Sequence, residues 1–242
     1  AAGVSTGEML KEAGKPLFII LFLTMFLTAS SELAPGQWVD SALTRNVGFQ
    51  GILLLVYVSG LMFVMRHFAG PLAHKLSPVG LMCVSSALAA LGLLALGVAH
   101  SPVIALLAAT LWAIGVCYMW PTMLGIASER FPKGGALLLG IMGSAGNLAT
   151  YFALPAIGRI FDNAKAVASQ DLAKMPFDAL QKAAETNVGA KSLLEQVLSF
   201  ASSESFRKVA ILPAIAFVVF AIWWMYDKSR GGYKAEKLTT AE

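Results

Sequence analysis

The sequence predicts an all-α, polytopic membrane protein with six transmembrane helices arranged as a 3+3 inverted repeat. Hydrophobic residues make up 57% of the chain and charged residues only 13%, a composition that a soluble domain of this length does not tolerate. The apolar residues form long continuous stretches, unlike the alternating pattern of membrane β-strands. Lysine and arginine are concentrated in alternate loops, which indicates successive crossings of a membrane.

Charge-free intervals locate the six spans, because a helix crosses the hydrocarbon layer in about 20 residues. The first interval meets an acid, Glu32, beyond which we expect the helix to resume. The intervals are 16–31, 46–65, 76–99, 101–128, 134–158 and 209–226. Helices one to five therefore occupy residues 16–161, and the sixth occupies residues 207–227.

The distribution of basic residues predicts that both termini are cytoplasmic. Residues 1–15 and 228–242 would then be cytoplasmic segments of a multi-pass protein in the inner or plasma membrane. The basic residues on this predicted inner side are Lys11, Lys15, Arg66, Lys75, Arg130, Lys133, Lys228, Arg230, Lys234 and Lys237.

Residues 162–206 form a long external loop in this topology. An amphipathic helix is expected there, because five apolar residues share one helical stripe. The segment could be an ordered cap packed on the spans or a lid over a substrate path. The stripe consists of Leu193, Leu194, Val197, Leu198 and Ala201.

Two prolines predict interrupted helices at inverted positions. Pro35, followed by Gly36, lies 20 residues after Lys15 at the inner side, and Pro121 lies 21 residues after His100 at the outer side. Secondary transporters place their sites beside such interrupted helices in inverted repeats. The pattern therefore favours a transporter.

The first span carries an acid on a polar helical face. Burying an ionisable side chain in a membrane costs at least about 2.5–3.5 kcal/mol, so such residues usually face a water-filled path. A carboxylate partly removed from water can bind and release a proton near neutrality. Glu32 is therefore the candidate proton-coupling residue, although it could also lie at the outer interface. The polar face consists of Thr24, Thr28, Ser31 and Glu32.

Aromatic rings and amides near the two prolines suit an uncharged polar ring, such as a sugar or a nucleoside. Alternative roles are open: Trp38 and Tyr118 could belong to interfacial aromatic belts, and Asn147 could join helices by hydrogen bonds. The candidate substrate-binding residues are Gln37, Trp38, Trp112, Tyr118, Asn147 and Tyr151.

Catalytic and metal-binding patterns are absent from the sequence. The three histidines lie at span ends without a second histidine at metal spacing, and both cysteines lie inside apolar spans. The net charge of +4 is modest and reflects the loop asymmetry. We therefore expect no enzymatic activity, no cofactor or metal, and no nucleic-acid partner.

Three segments resemble the major facilitator superfamily. "RHFAGPLAHKLSP" (66–78) resembles the cytoplasmic loop motif of its C-terminal half, with His74 where the family has an acid. "YMWPTMLGIASERFPKGGA" (118–136) resembles the exit of the tenth helix, and "GIMGSAGNLATYFALPAIGRIFD" (140–162) is similar to the eleventh helix. The resemblance implies the C-terminal half of a twelve-helix transporter, residues 1–15 being a linker remnant and an N-terminal six-helix half being the partner.

The same resemblance implies inner-gate salt bridges, although ordinary positive-inside charges with one local ion pair explain the residues equally well. It also implies that six helices alone, with an unpaired inner face surrounded by lipid, do not transport. The implied gate residues are Arg66, Lys75, Glu129 and Arg130.

The acid–glutamine–tryptophan cluster on the first helix resembles fucose-permease-like proton symporters of sugars or nucleosides. We therefore expect proton-coupled symport of a small polar solute by alternating access. A proton-driven exporter of small amphipathic compounds and a non-transporting membrane scaffold or sensor are the alternatives. Growth on single sugars or nucleosides, compared with resistance to toxic compounds, would separate symporter from exporter.

Overall fold

The computed structural model describes residues 4–47 and 51–236, with side chains at 4–35 and 52–236. All regular secondary structure in this part of the chain is helical, as the sequence predicts. Single turns of 3₁₀-helix (Pro132–Gly134) and π-helix (Ala149–Ala153, Ser169–Ala173) join some of the helices. The α-helices are α1 (Thr6–Ala13), α2 (Pro16–Val47), α3 (Gly51–Arg66), α4 (Ala69–Leu76), α5 (Pro78–Leu96), α6 (Pro102–Cys117), α7 (Met119–Arg130), α8 (Gly135–Leu148), α9 (Leu154–Ala168), α10 (Phe177–Ala184), α11 (Val188–Val209) and α12 (Ile211–Ser229).

Several helical segments are long and apolar enough to cross a membrane, which agrees with a multi-pass membrane protein. A further span exists if α3 and α4 are taken together, although the two helices meet at an angle of 62°. The five unbroken segments among the described residues are Pro16–Pro35, Pro78–Leu96, Pro102–Arg130, Pro132–Ala173 and Val188–Ser229.

The two predicted helix interruptions have different outcomes. The prediction at Pro35 is wrong, because α2 runs without a break from Pro16 to Val47. The prediction at Pro121 is confirmed: α6 ends at Cys117, α7 begins at Met119, and only Tyr118 lies between them. A proline ring clashes with the carbonyl four residues earlier, and for Pro121 that residue is Cys117.

The bundle is held together at its centre by direct backbone contact between α5 and α6. A Cβ atom added at Gly92 would lie closer than 3.0 Å to the backbone of Trp112, and one added at Gly115 would lie equally close to Ala89. Small residues permit such approach in membrane helices. The glycines of α8 make no backbone contact this close: a Cβ at Gly146 would meet the Trp120 ring, whereas one at Gly140 or Gly143 would meet nothing within 4 Å.

The segment predicted as an external loop, residues 162–206, is mostly helical. The fifth span continues past residue 161 through α9, and α10 leads into the 22-residue helix α11. The predicted apolar stripe of α11 faces inward, where Val197 forms a small core with Ala168 and Leu180. Because α11 also packs on α2 and α5, the segment is a helical hairpin seated on the bundle.

Both ends of the described chain lie at the same end of the bundle, called the basal end below. Helix α1 packs on the turn Pro132–Gly134, and the Lys15 ammonium lies 5.8 Å from the centre of the Phe131 ring. The backbone N–H of Glu236 donates to the Glu129 carbonyl over 2.8 Å. An even number of membrane crossings requires this arrangement.

Gly115→Ala is expected to lower the free energy of unfolding by about 1–3 kcal/mol, since the added methyl group overpacks the α5–α6 contact. Gly125→Ala, in α7, is the matched control, because a Cβ there meets nothing within 4 Å. The control should be neutral or slightly stabilising, as alanine favours a helix over glycine. Thermal unfolding can be followed with a thiol-reactive dye, because Cys83 and Cys117 are both buried. Equal stabilities of the two variants would contradict the packing described.

Candidate functional site

The Ser31 carbonyl of α2 lacks its usual helical partner. Pro35, four residues later, has no N–H to donate. The indole N–H of Trp112, in α6, donates to this carbonyl over 3.2 Å, and Trp112 is only 2% exposed. This contact explains why α2 remains helical through Pro35: a neighbouring helix satisfies the carbonyl that the proline leaves free.

A second carbonyl is freed in the same way at the α6–α7 break. Pro121 cannot donate to Cys117, and the Nε–H of Arg66 donates to the Cys117 carbonyl over 3.2 Å. Arg66 is the last residue of α3. The carbonyls freed by Pro35 and Pro121 are therefore each satisfied by a side chain from another helix.

The predicted spans divide into a first three and a last three, and each donor lies in the half opposite to the carbonyl that it serves. Trp112, in the fourth span, serves the carbonyl in the first, and Arg66, at the end of the second, serves the carbonyl in the fourth. This arrangement links the first three and the last three spans at the prolines that the sequence relates by inversion.

Glu32 is the residue that follows Ser31 in α2. Its carboxylate pairs with Arg66, the donor to the Cys117 carbonyl. Its Oε1 lies 3.4 Å from the Arg66 Nη2, and the two side chains are 20% and 45% exposed. Charge-assisted hydrogen bonds between guanidinium and carboxylate groups usually measure about 2.7–2.9 Å. The longer distance describes a loose ion pair.

The other polar residues of the predicted stripe are bound to their own helix. Thr24 donates to the Ile20 carbonyl over 2.7 Å, and Ser31 donates to the Leu27 carbonyl over 2.7 Å. Thr28 donates to the Met25 carbonyl over 3.1 Å. Such bonds to the preceding turn are usual for helical Ser and Thr. All three side chains are buried, so Glu32 alone of the stripe reaches a partner on another helix.

The side chains of the predicted substrate-binding residues differ in how far they are exposed at the surface. Trp112 and Tyr118 are 2% and 3% exposed and are out of reach of a solute in this conformation. Asn147 and Tyr151 are exposed, beside the π-helical turn Ala149–Ala153. The side chains of Gln37 and Trp38 lie outside the described part of the chain.

The predicted gate residues are divided between two places. Arg66 binds Glu32 and the Cys117 carbonyl, as described above. Lys75 and Glu129 line a cavity of about 830 Å³ at the basal end. Arg130 lies beside this cavity and pairs with Asp227, the partner that sequence reasoning missed. The available signal was the position of Asp227, directly after the apolar residues of the last span.

The Arg130–Asp227 pair organises the basal end. Its side chains are only 15% and 7% exposed, and the guanidinium carbon lies 4.4 Å from the centre of the Tyr233 ring. Burial and the nearby Glu129 carboxylate raise the pKa of Tyr233 well above its ordinary value. The pair thus ties α7 to the end of α12 and to the segment that follows it.

Among residues 4–35 and 52–236, whose side chains the structure describes, no three His, Cys, Asp or Glu side chains lie close enough to share a metal ion. Comparison with protein-family models, curated proteins and solved structures gives no match to this chain. Any family relationship therefore depends on the three sequence segments quoted above.

Trp112→Phe is expected to lower the free energy of unfolding by about 1–3 kcal/mol, since it leaves the Ser31 carbonyl unpaired in an apolar environment. Trp120→Phe is the control, because the Trp120 indole has no hydrogen-bond partner among the described residues. Trp120 is less deeply buried than Trp112, so the two losses are compared after correction for the buried apolar area that each variant removes. Equal losses in thermal unfolding would show that the hydrogen bond to Ser31 contributes nothing.

Arg130→Met is expected to destabilise the protein by about 3–5 kcal/mol, because it leaves the buried Asp227 carboxylate without a cation. The double variant Arg130→Met/Asp227→Leu should recover most of this loss, since no unpaired charge remains. Lys133→Met, at an exposed neighbouring position, should change little. Thermal unfolding of the wild type, Arg130→Met, Asp227→Leu and the double variant measures the coupling. Additive losses in the double variant would contradict it.

Proposed function

We propose that this chain is the C-terminal six-helix half of a major-facilitator-type secondary transporter, built as a 3+3 inverted repeat. It moves a small polar solute, such as a sugar or a nucleoside, by proton-coupled symport and alternating access. The observation that carries the proposal is the contact of Arg66 with both Glu32 and the Cys117 carbonyl. A protonatable acid, a cation and a helix break meet there.

Protonation of Glu32 removes the charge that attracts Arg66. The Cys117 carbonyl then remains the only partner of the guanidinium in this group, and the preferred position of the Arg66 side chain changes. Because that carbonyl belongs to the α6–α7 break, a change at Glu32 alters the relative stability of two arrangements of the break. A proton can shift such an equilibrium only by its differential affinity for the two states, and the ion pair supplies that difference.

Solute binding belongs to the second conformation in this mechanism. Trp112 and Tyr118 are buried beside the two prolines, so a rearrangement at the α6–α7 break is the step that exposes them. Gln37, Trp38, Asn147 and Tyr151 complete the proposed solute site. The wall opposite them is provided by an N-terminal six-helix half.

The proposed orientation places the basal end in the cytoplasm of a cell with this protein in its inner or plasma membrane. Lys15, Lys75 and Arg130 all lie at this end, as the positive-inside rule requires of a cytoplasmic face. The inner gate then comprises Arg130 and Asp227 with the nearby Lys75 and Glu129, while Arg66 acts through Glu32.

Glu32→Gln is expected to abolish uphill accumulation of solute and to leave downhill exchange intact, since glutamine cannot release a proton. The measurement is uptake of labelled hexoses and nucleosides into vesicles that contain the intact transporter, with and without an imposed pH gradient. Glu195→Gln, on the exposed face of α11, is the matched control and should behave as the wild type. Normal uphill accumulation by Glu32→Gln would remove Glu32 from the coupling mechanism.

A further inference from the structure

The basal end carries a cavity whose lining includes Lys75 and Glu129 of the proposed inner gate, and the proposed solute site lies elsewhere. Its volume is about 830 Å³, and it lies between α4, the start of α5, the end of α7 and the end of α12. This volume accommodates a lipid headgroup. The side chains that carry its chemistry are those of His74, Lys75, Ser77, Glu129, Trp224, Asp227, Lys228 and Tyr233.

The charges in this cavity favour an anion. Asp227 is neutralised by Arg130, so Glu129 is the remaining carboxylate against the two ammonium groups of Lys75 and Lys228. Neither lysine has an ion-pair partner among the described residues. The amino-terminal end of α5 contributes partial positive charge.

The position of the cavity corresponds to the level of membrane headgroups. Residues 211–226 of α12 are free of charge, and Asp227 and Lys228 follow directly. Trp224 lines the cavity, the Lys228 ammonium lies 5.8 Å from its ring, and aromatic residues of this kind are typical of the membrane interface.

An apolar groove on the neighbouring face of α12 shares Asp227 with the cavity. It measures about 420 Å³, and its apolar lining comes from Leu17 and Ile20 of α2 and from Val219, Ile222 and Trp223 of α12. A cationic hollow at headgroup level beside an apolar groove matches a molecule with a phosphate and an acyl chain.

We propose that the basal cavity binds the phosphate of an anionic phospholipid, with Lys75 and Lys228 as the phosphate-binding side chains and one acyl chain in the α2–α12 groove. Basic pockets between transmembrane helices are known sites for acidic lipid headgroups. The lipid would link α4 and α12. Because Lys75 also belongs to the proposed inner gate, lipid binding is measured separately from transport.

The test titrates short-chain phosphatidylglycerol into the detergent-solubilised protein and measures binding by native mass spectrometry. Lys75→Gln/Lys228→Gln is expected to weaken binding about 30-fold, from the loss of two lysine contacts. Lys182→Gln/Lys191→Gln makes the same change of charge at exposed positions of the helical hairpin and should bind as the wild type does.

Phosphatidylcholine and inorganic phosphate are the comparison ligands. Phosphatidylglycerol should raise the unfolding temperature of the wild type and the control but not that of Lys75→Gln/Lys228→Gln. Equal stabilisation by phosphatidylcholine, or equal weakening in the control variant, would overturn the site. If inorganic phosphate stabilises the wild type as much as the lipid does, the cavity binds free phosphate and the lipid proposal is overturned.

Discussion

An unpaired backbone carbonyl is costly inside a membrane, where no water replaces the missing hydrogen bond. Two of the prolines inside its spans, Pro35 and Pro121, create that cost at Ser31 and at Cys117. Each carbonyl is satisfied by a side chain from another helix: Trp112 donates to the first and Arg66 to the second. A rearrangement at either proline therefore has to break a hydrogen bond to a helix distant in sequence.

The position of Glu32 follows from the same constraint. A guanidinium group that reaches an apolar helix break carries its positive charge with it, and an adjacent carboxylate offsets that charge. The acid thus lies beside a side chain that also contacts the fourth predicted span. The separation of 3.4 Å from Arg66 is long for a pair of this kind. The Arg130–Asp227 pair at the basal end is buried more deeply and ties its helices more firmly.

Some features of this fold could be predicted from the sequence and others could not. The spans were located because charge is excluded from the hydrocarbon layer, and the break before Pro121 followed from proline geometry. The same reasoning failed at Pro35. A proline has the same local effect at both positions, so the sequence alone did not show that only one of the two helices would break. The outcome depended on Trp112, which lies 81 residues away from Ser31 in the chain. The glycines of α8 match a packing motif, yet the close backbone contact occurs at Gly92 and Gly115. Whether a glycine allows two helices to approach depends on which helix lies beside it.

By itself the sequence determined the helical class, the approximate spans and the residues capable of chemistry, because these depend on local composition and on the thickness of a bilayer. The tertiary structure decided which of those residues meet. It buried Trp112 and Tyr118, turned the Thr24–Ser31 hydroxyls back to their own helix, and gave Arg130 a partner in Asp227. Such choices depend on hydrogen bonds and ion pairs between helices distant in sequence, and these form only where packing brings donor and acceptor within about 3 Å.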